Sequence, residues 1–164
     1  MKYTLMLLIL MITSPVYCDS IYVSGGPSYG TFYTEEKFVN LIVGYEKPFA
    51  DRWSIAGEFQ YQCRNYPEDG NLYSFGPTFR YYLVDTPKWK IPLVAGFGLA
   101  TTDYDYESHG NLLFHGKLGL EVERKISWLS LYVGMYHDHF SNGYTAYNPG
   151  RDALMYSAGL KITF

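Results

Sequence analysis

Leu112–Arg124 reads LLFHGKLGLEVER, and its alternation decides the fold. One parity carries Phe114, Gly116, Leu118, Leu120 and Val122; the other carries His115, Lys117, Gly119, Glu121 and Glu123. A period of two is the signature of a β-strand, whose successive side chains point to opposite faces. The pattern recurs upstream. From Arg52, Ile55, Phe59 and Tyr61 alternate with Glu58, Gln60 and Gln62. From Asn71, Phe75, Phe79 and Tyr81 oppose Ser74, Thr78 and Arg80.

Working outward from these segments, the chain divides into about eight strand-length pieces, near 20–31, 37–48, 52–65, 71–84, 89–102, 112–124, 128–141 and 152–164. Turn chemistry separates them: Lys47-Pro48-Phe49-Ala50-Asp51, Asn65 to Gly70, Asp85-Thr86-Pro87-Lys88, Ser108-His109-Gly110-Asn111 and Asn148-Pro149-Gly150. The 164 residues suit one domain, and the 18 tyrosines, 10 phenylalanines and 16 glycines come with a near-neutral mean hydropathy. That combination fits a sheet with one apolar and one polar face, and not a helical membrane protein. A formal charge of -3 and a pI near 5.8 exclude the basic footprint of a nucleic-acid binder.

The first residues read as a targeting segment. Lys2 is followed by a short apolar run through Ile12 and by Pro15, too short to cross a bilayer as a helix. A cleavable signal peptide is expected over 1–18, with the cut near Cys18-Asp19, leaving residues 19–164 as one domain. Cys63 then has no intrachain partner and reads as a small apolar residue on the wall.

A soluble sandwich would bury the apolar face. The export signal and the even strand count favour the inverse: apolar side chains to lipid and Glu58, Arg80, His115, Lys117, Glu121 and Lys161 inward. The sheet must then close, because an open edge in hydrocarbon leaves amides unpaired at several kcal/mol each. The expected fold is all-β: an eight-stranded antiparallel up-and-down transmembrane β-barrel, its interior filled by side chains. Trp53, Trp89 and Trp128 each flank a turn, as interfacial residues do. The last strand alternates Tyr156, Leu160, Ile162 and Phe164, which resembles the assembly signal of bacterial outer-membrane barrels. With a periplasmic N-terminus, the longer connections after strands one, three, five and seven face outward.

Chemistry concentrates at the seventh strand and beyond: YHDHFSNG (136–143), then Asn148-Pro149-Gly150-Arg151-Asp152. His137, His139 and Ser141 share parity with the lipid-facing Leu131, Val133 and Met135, so that row turns polar at its outer end. Asp152 opens the corresponding row of the next strand at the same level. His139 and Ser141 stand roughly 7 Å apart along one face. In this arrangement Ser141 attacks, His139 shuttles the proton and Asp152 orients the imidazole. The oxyanion donors to consider are Asn148, Asn142 and the backbone N–H of Gly143. Asp138 points inward between two outward histidines, so His137, Asp138 and His139 do not converge on a metal. Lys37, Arg64 and Arg151 are rim cations that could pair with phosphates, although a solvated rim is the default reading of each.

His139-Phe140-Ser141-Asn142, followed by Asn148-Pro149-Gly150-Arg151-Asp152, resembles the lipid A 3-O-deacylase (PagL) family. The motif covers the last ~30 residues, and the barrel architecture matches across the mature chain. The resemblance implies His139 as base, Ser141 as nucleophile, Asp152 as acid and Asn148 as oxyanion donor. The implied substrate is the ester-linked 3-hydroxyacyl chain at the 3 position of lipid A, with no metal or other cofactor. The chain departs from the family pattern in two ways: the acid is commonly glutamate, and the loop before it is one residue shorter here. Expected partners are lipid A or lipopolysaccharide and the surrounding outer-membrane lipids, with monomer and homodimer both open. Two other readings compete: a non-enzymatic small barrel (adhesin or membrane stabiliser), and another lipid-acting serine hydrolase.

Overall fold

A computed structural model of the protein describes residues 18–31, 37–64, 71–102, 112–141 and 151–164. The expected signal segment therefore falls, apart from Cys18, outside the described residues. Eight strands follow one another: β1 (Ser20–Gly30), β2 (Lys37–Ala50), β3 (Trp53–Arg64), β4 (Leu72–Asp85), β5 (Trp89–Thr102), β6 (Leu112–Ile126), β7 (Leu129–Ser141) and β8 (Arg151–Thr163). Each pairs antiparallel with its sequence neighbour, and β1 also pairs with β8 from Ser20↔Thr163 to Gly30↔Ala153, closing the barrel. Closure leaves no sheet edge, which hydrocarbon requires.

The alternation sorts as expected. On β6, Phe114, Leu118 and Leu120 are exposed while His115, Lys117 and Glu121 are buried. Ile21, Val43, Phe59, Phe75, Leu99, Val133 and Leu160 extend the apolar outer wall around the barrel. Trp53 and Trp89 stand exposed beside two of the three short turns and Trp128 within the third, where an interfacial girdle runs. Cys18 and Cys63 are both free, and Cys63 lies on the exposed side of β3.

Inside, charges are buried and matched. The Arg80 guanidinium, 1% exposed, donates to Glu121 from Nε at 3.1 Å and from Nη2 at 2.9 Å. Its Nη2 also reaches Glu58 at 3.1 Å, and Nη1 lies 3.7 Å from Glu46. Lys117 pairs with Glu58, and Lys161 bridges Glu46 at 3.1 Å and Glu123 at 2.8 Å. Tyrosines and a serine supply further donors: Tyr22 to Glu58 at 2.5 Å, Tyr136 to Glu121 at 2.8 Å, and both Tyr82 and Ser54 to Glu46. The tyrosine rings need space, which inward glycines leave. A Cβ on Gly44 would stand 2.2 Å from the Tyr22 ring.

The structure corrects the sequence reading at strand ends. Lys47–Ala50, read as a turn, continues β2, because a register irregularity between Pro48 and Ala50 absorbs the proline that cannot donate to the ladder. The turn is Asp51-Arg52, and Glu46, inside the expected strand but not named among its inward charges, joins the interior charge network on the parity of Asn40 and Ile42. Strand β6 runs on to Ile126, so the β6–β7 turn is only Ser127-Trp128.

Candidate active site on the outer wall

Strand β7 carries both halves of the site's support. Its outward row ends Met135, His137, His139, Ser141, and its inward row ends Tyr136, Asp138, Phe140. The inward row is tied down. Asp138, fully buried, accepts from Gln60 Nε2 at 2.7 Å and Gln62 Nε2 at 3.1 Å, and lies 3.5 Å from His115 Nε2. Phe140 stacks on the His115 ring at 4.4 Å between centroids. Contacts from β3 and β6 thus hold the strand whose other face carries the histidines.

On that other face, register does the positioning. His139 and Asp152 are direct partners across the β7–β8 ladder, and directly opposed residues have Cβ atoms roughly 5 Å apart. The side chains close this gap: His139 Nδ1 lies 2.9 Å from Asp152 Oδ1. With its proton on Nδ1, the ring donates to the carboxylate and leaves Nε2 as a base. Ser141 is the last residue of β7, two positions farther out on the same row, partly buried and opposite Phe114 of β6. The residues read as base and acid are therefore in contact, and the residue read as nucleophile continues the row on which the base stands.

Sequence reasoning did not assign a role to two neighbours. His137 reaches the same carboxylate oxygen, with Nε2 3.3 Å from Asp152 Oδ1. Its parity was legible, but its reach depends on the diagonal across the β7–β8 pair. The second neighbour is a gap. Gly116 is the cross-strand partner of His139 on β6 and of Phe97 on β5. A Cβ built on it would meet nothing within 4 Å. Exposed Phe97, Phe114 and Leu118 surround this notch in the lipid-facing wall. Asn142, Gly143 and Asn148, the oxyanion donors under consideration, lie outside the described residues.

The lipid A 3-O-deacylase (PagL) family model matches residues 39–161. Among solved structures, the outer membrane enzyme PagL is similar with a TM-score of 0.60 at 21% identity, covering 87% of this chain and 99% of that one. Neisserial surface protein A (NspA) is similar at 0.61 and 15% identity, covering 90% and 96%. The N-terminal β-barrel domain of Pseudomonas aeruginosa OprF gives 0.55 at 15% identity, covering 90% and 99%. At such identities these likenesses speak for the fold. Comparison with curated protein sequences returned no match. Family and barrel together place the protein in the bacterial outer membrane. The family match runs from β2 into β8, across the wall that carries His139, Ser141 and Asp152, and the chain belongs to the lipid A 3-O-deacylase (PagL) family.

Proposed function

We propose that the protein is an esterase that removes the 3-hydroxyacyl chain at the 3 position of lipid A, working from its outer wall in the outer leaflet. The observation that carries this reading is the His139–Asp152 contact of 2.9 Å on the lipid-facing surface, with Ser141 next on the same row. Polar groups on a lipid-facing row are costly, and less so near the interface. A base, its orienting acid and a hydroxyl gathered there match a substrate that itself lies in the membrane.

The steps follow from the chemistry of the three groups. Ser141 Oγ attacks the ester carbonyl carbon as His139 Nε2 takes its proton. The tetrahedral oxyanion is held by a donor from the β7–β8 connection: Asn148, Asn142 or the Gly143 N–H. Collapse breaks the ester C–O bond, and the imidazolium returns the proton to the leaving sugar alkoxide. Water, deprotonated by His139, then releases the 3-hydroxy fatty acid and restores Ser141. Asp152 stays ionised, fixes the tautomer and balances the imidazolium charge. The notch at Gly116 adjoins His139 and is lined by apolar side chains, so it offers the scissile acyl chain a seat.

Expression of wild type and Ser141→Ala in a lipopolysaccharide-bearing bacterium tests the reading by mass spectrometry of lipid A. Wild type should remove one hydroxyacyl chain and the variant none. Unchanged lipid A in both, with folded protein present, would favour a non-enzymatic barrel. Release from phospholipid in place of lipid A would favour a different lipid hydrolase.

A further inference from the structure

We propose that His137 is a positioning residue that holds Asp152 in place for His139. The proposal rests on the triad reading above. His137 and His139 converge on one atom: Oδ1 of Asp152 lies 3.3 Å from Nε2 of the first and 2.9 Å from Nδ1 of the second. His139 faces Asp152 directly across the ladder, whereas His137 faces Leu154 and reaches Asp152 along the diagonal. Strand β7 runs outward at the tilt of a barrel strand, so His137 lies about 5 Å deeper in the membrane than His139. The carboxylate is therefore clasped between a ring at its own level and a ring below it.

This arrangement answers a problem specific to an acid on a barrel's outer wall. A triad acid in a soluble enzyme is fixed by surrounding protein, but one side of this wall is lipid. The His137 and His139 side chains are 48% and 47% exposed, against 22% for Asp152. With a single partner, the aspartate could turn about its χ angles and lose the orientation that fixes the His139 tautomer. A second N–H on the same oxygen removes that freedom.

Among the described outward neighbours on β6, β7 and β8 there is no other charged side chain, and the titratable groups that remain are Tyr156 of β8 and Tyr29 of β1, which pack against each other. On β6 the outward neighbours are Gly116, Leu118 and Leu120, with Leu118 directly opposite His137. On β8 they are Asp152, Leu154 and Tyr156, and on β7 Met135 and His139. Lys117, Asp138 and His115 are buried on the inner side of the wall. His137 and His139 thus share one carboxylate.

The test uses the purified full chain in detergent with lipopolysaccharide as substrate, comparing wild type, His137→Phe and His137→Gln. Folding of each is checked by heat-modifiable migration on gels. The Phe variant keeps the ring's bulk and removes the N–H. It should lose roughly ten- to a hundredfold in kcat with apparent KM within about twofold, as small misplacements of catalytic groups do. Glutamine places an N–H near the position of Nε2 and should restore most of the rate. An active wild type with an equally active Phe variant would overturn the proposal and leave the triad standing. So would a glutamine variant as impaired as the Phe variant. An inactive but folded wild type would remove the triad reading and this proposal with it.

Discussion

His139 and Asp152 are opposed residues of the β7–β8 ladder whose side chains meet at 2.9 Å on the membrane side of the barrel. If the carboxylate works through charge and tautomer, an amide of the same shape should fail. Asp152→Asn should lower kcat by about two to four orders of magnitude, since an amide donor can impose the wrong ring tautomer. Asp152→Ala should be only partly impaired, because it imposes no tautomer. Release of 3-hydroxy fatty acid from lipopolysaccharide, followed over time, measures both. Near wild-type activity in Asp152→Asn, with loss in Asp152→Ala, would mean that the acid's role is spatial and not electrostatic.

The notch at Gly116 can be filled without disturbing the barrel, because a Cβ there meets nothing within 4 Å. Gly116→Leu should therefore fold normally yet obstruct the wall beside His139. The expected outcome is slower cleavage with a raised apparent KM, most marked for long acyl chains. Gly116→Ala should have a smaller effect of the same sign. Comparing lipopolysaccharides that differ in 3-acyl length would read this directly. Unaltered kinetics in the leucine variant would place the acyl chain elsewhere.

Much of this was legible in advance, for a physical reason. A period of two assigns a side chain to a face whatever the register, so the outward placement of His137, His139 and Ser141 and the inward placement of Asp138 could be read from spacing. Strand ends were less legible. The irregularities at Pro48/Ala50 and Tyr82/Val84 extend pairing past residues whose composition signals a turn. Contacts set by closure and by register were the hardest to read. Arg80 of β4 meets Glu46 of β2 and Glu121 of β6 only because the sheet has closed, and His137 meets Asp152 only because the pairing across the 142–150 connection falls where it does.

Arg80 links three buried glutamates, so its removal leaves negative charges facing one another in a narrow interior. Breaking a buried ion pair by deleting one partner typically costs about 3–5 kcal/mol. Arg80→Leu should destabilise the barrel by at least that range, read as a fall in the urea midpoint of folding into lipid vesicles. Arg80→Leu combined with Glu121→Leu should recover part of the loss, because the second change removes the partner left uncompensated. Additive losses in the double variant would show that the two charges are not coupled as the 2.9 and 3.1 Å contacts imply.

At the opposite end of the molecule, the β6–β7 turn stores local strain. Ile126 and Leu129 are paired, so only Ser127 and Trp128 reverse the chain, and Ser127 adopts φ of 60°. A left-handed backbone costs a residue with a Cβ roughly 1–2 kcal/mol, whereas glycine adopts it freely. Glycine also gives the unfolded chain more freedom, which returns about 0.4–1 kcal/mol of that gain. Ser127→Gly should thus stabilise the barrel by about 0.5–1 kcal/mol in the same urea titration, with activity unchanged because the turn lies at the periplasmic rim. Ser127→Pro, whose ring demands a negative φ near −65°, should destabilise it instead. The two substitutions act in opposite directions because the turn requires a positive φ at this position. A stabilising proline would show that the turn adopts another conformation.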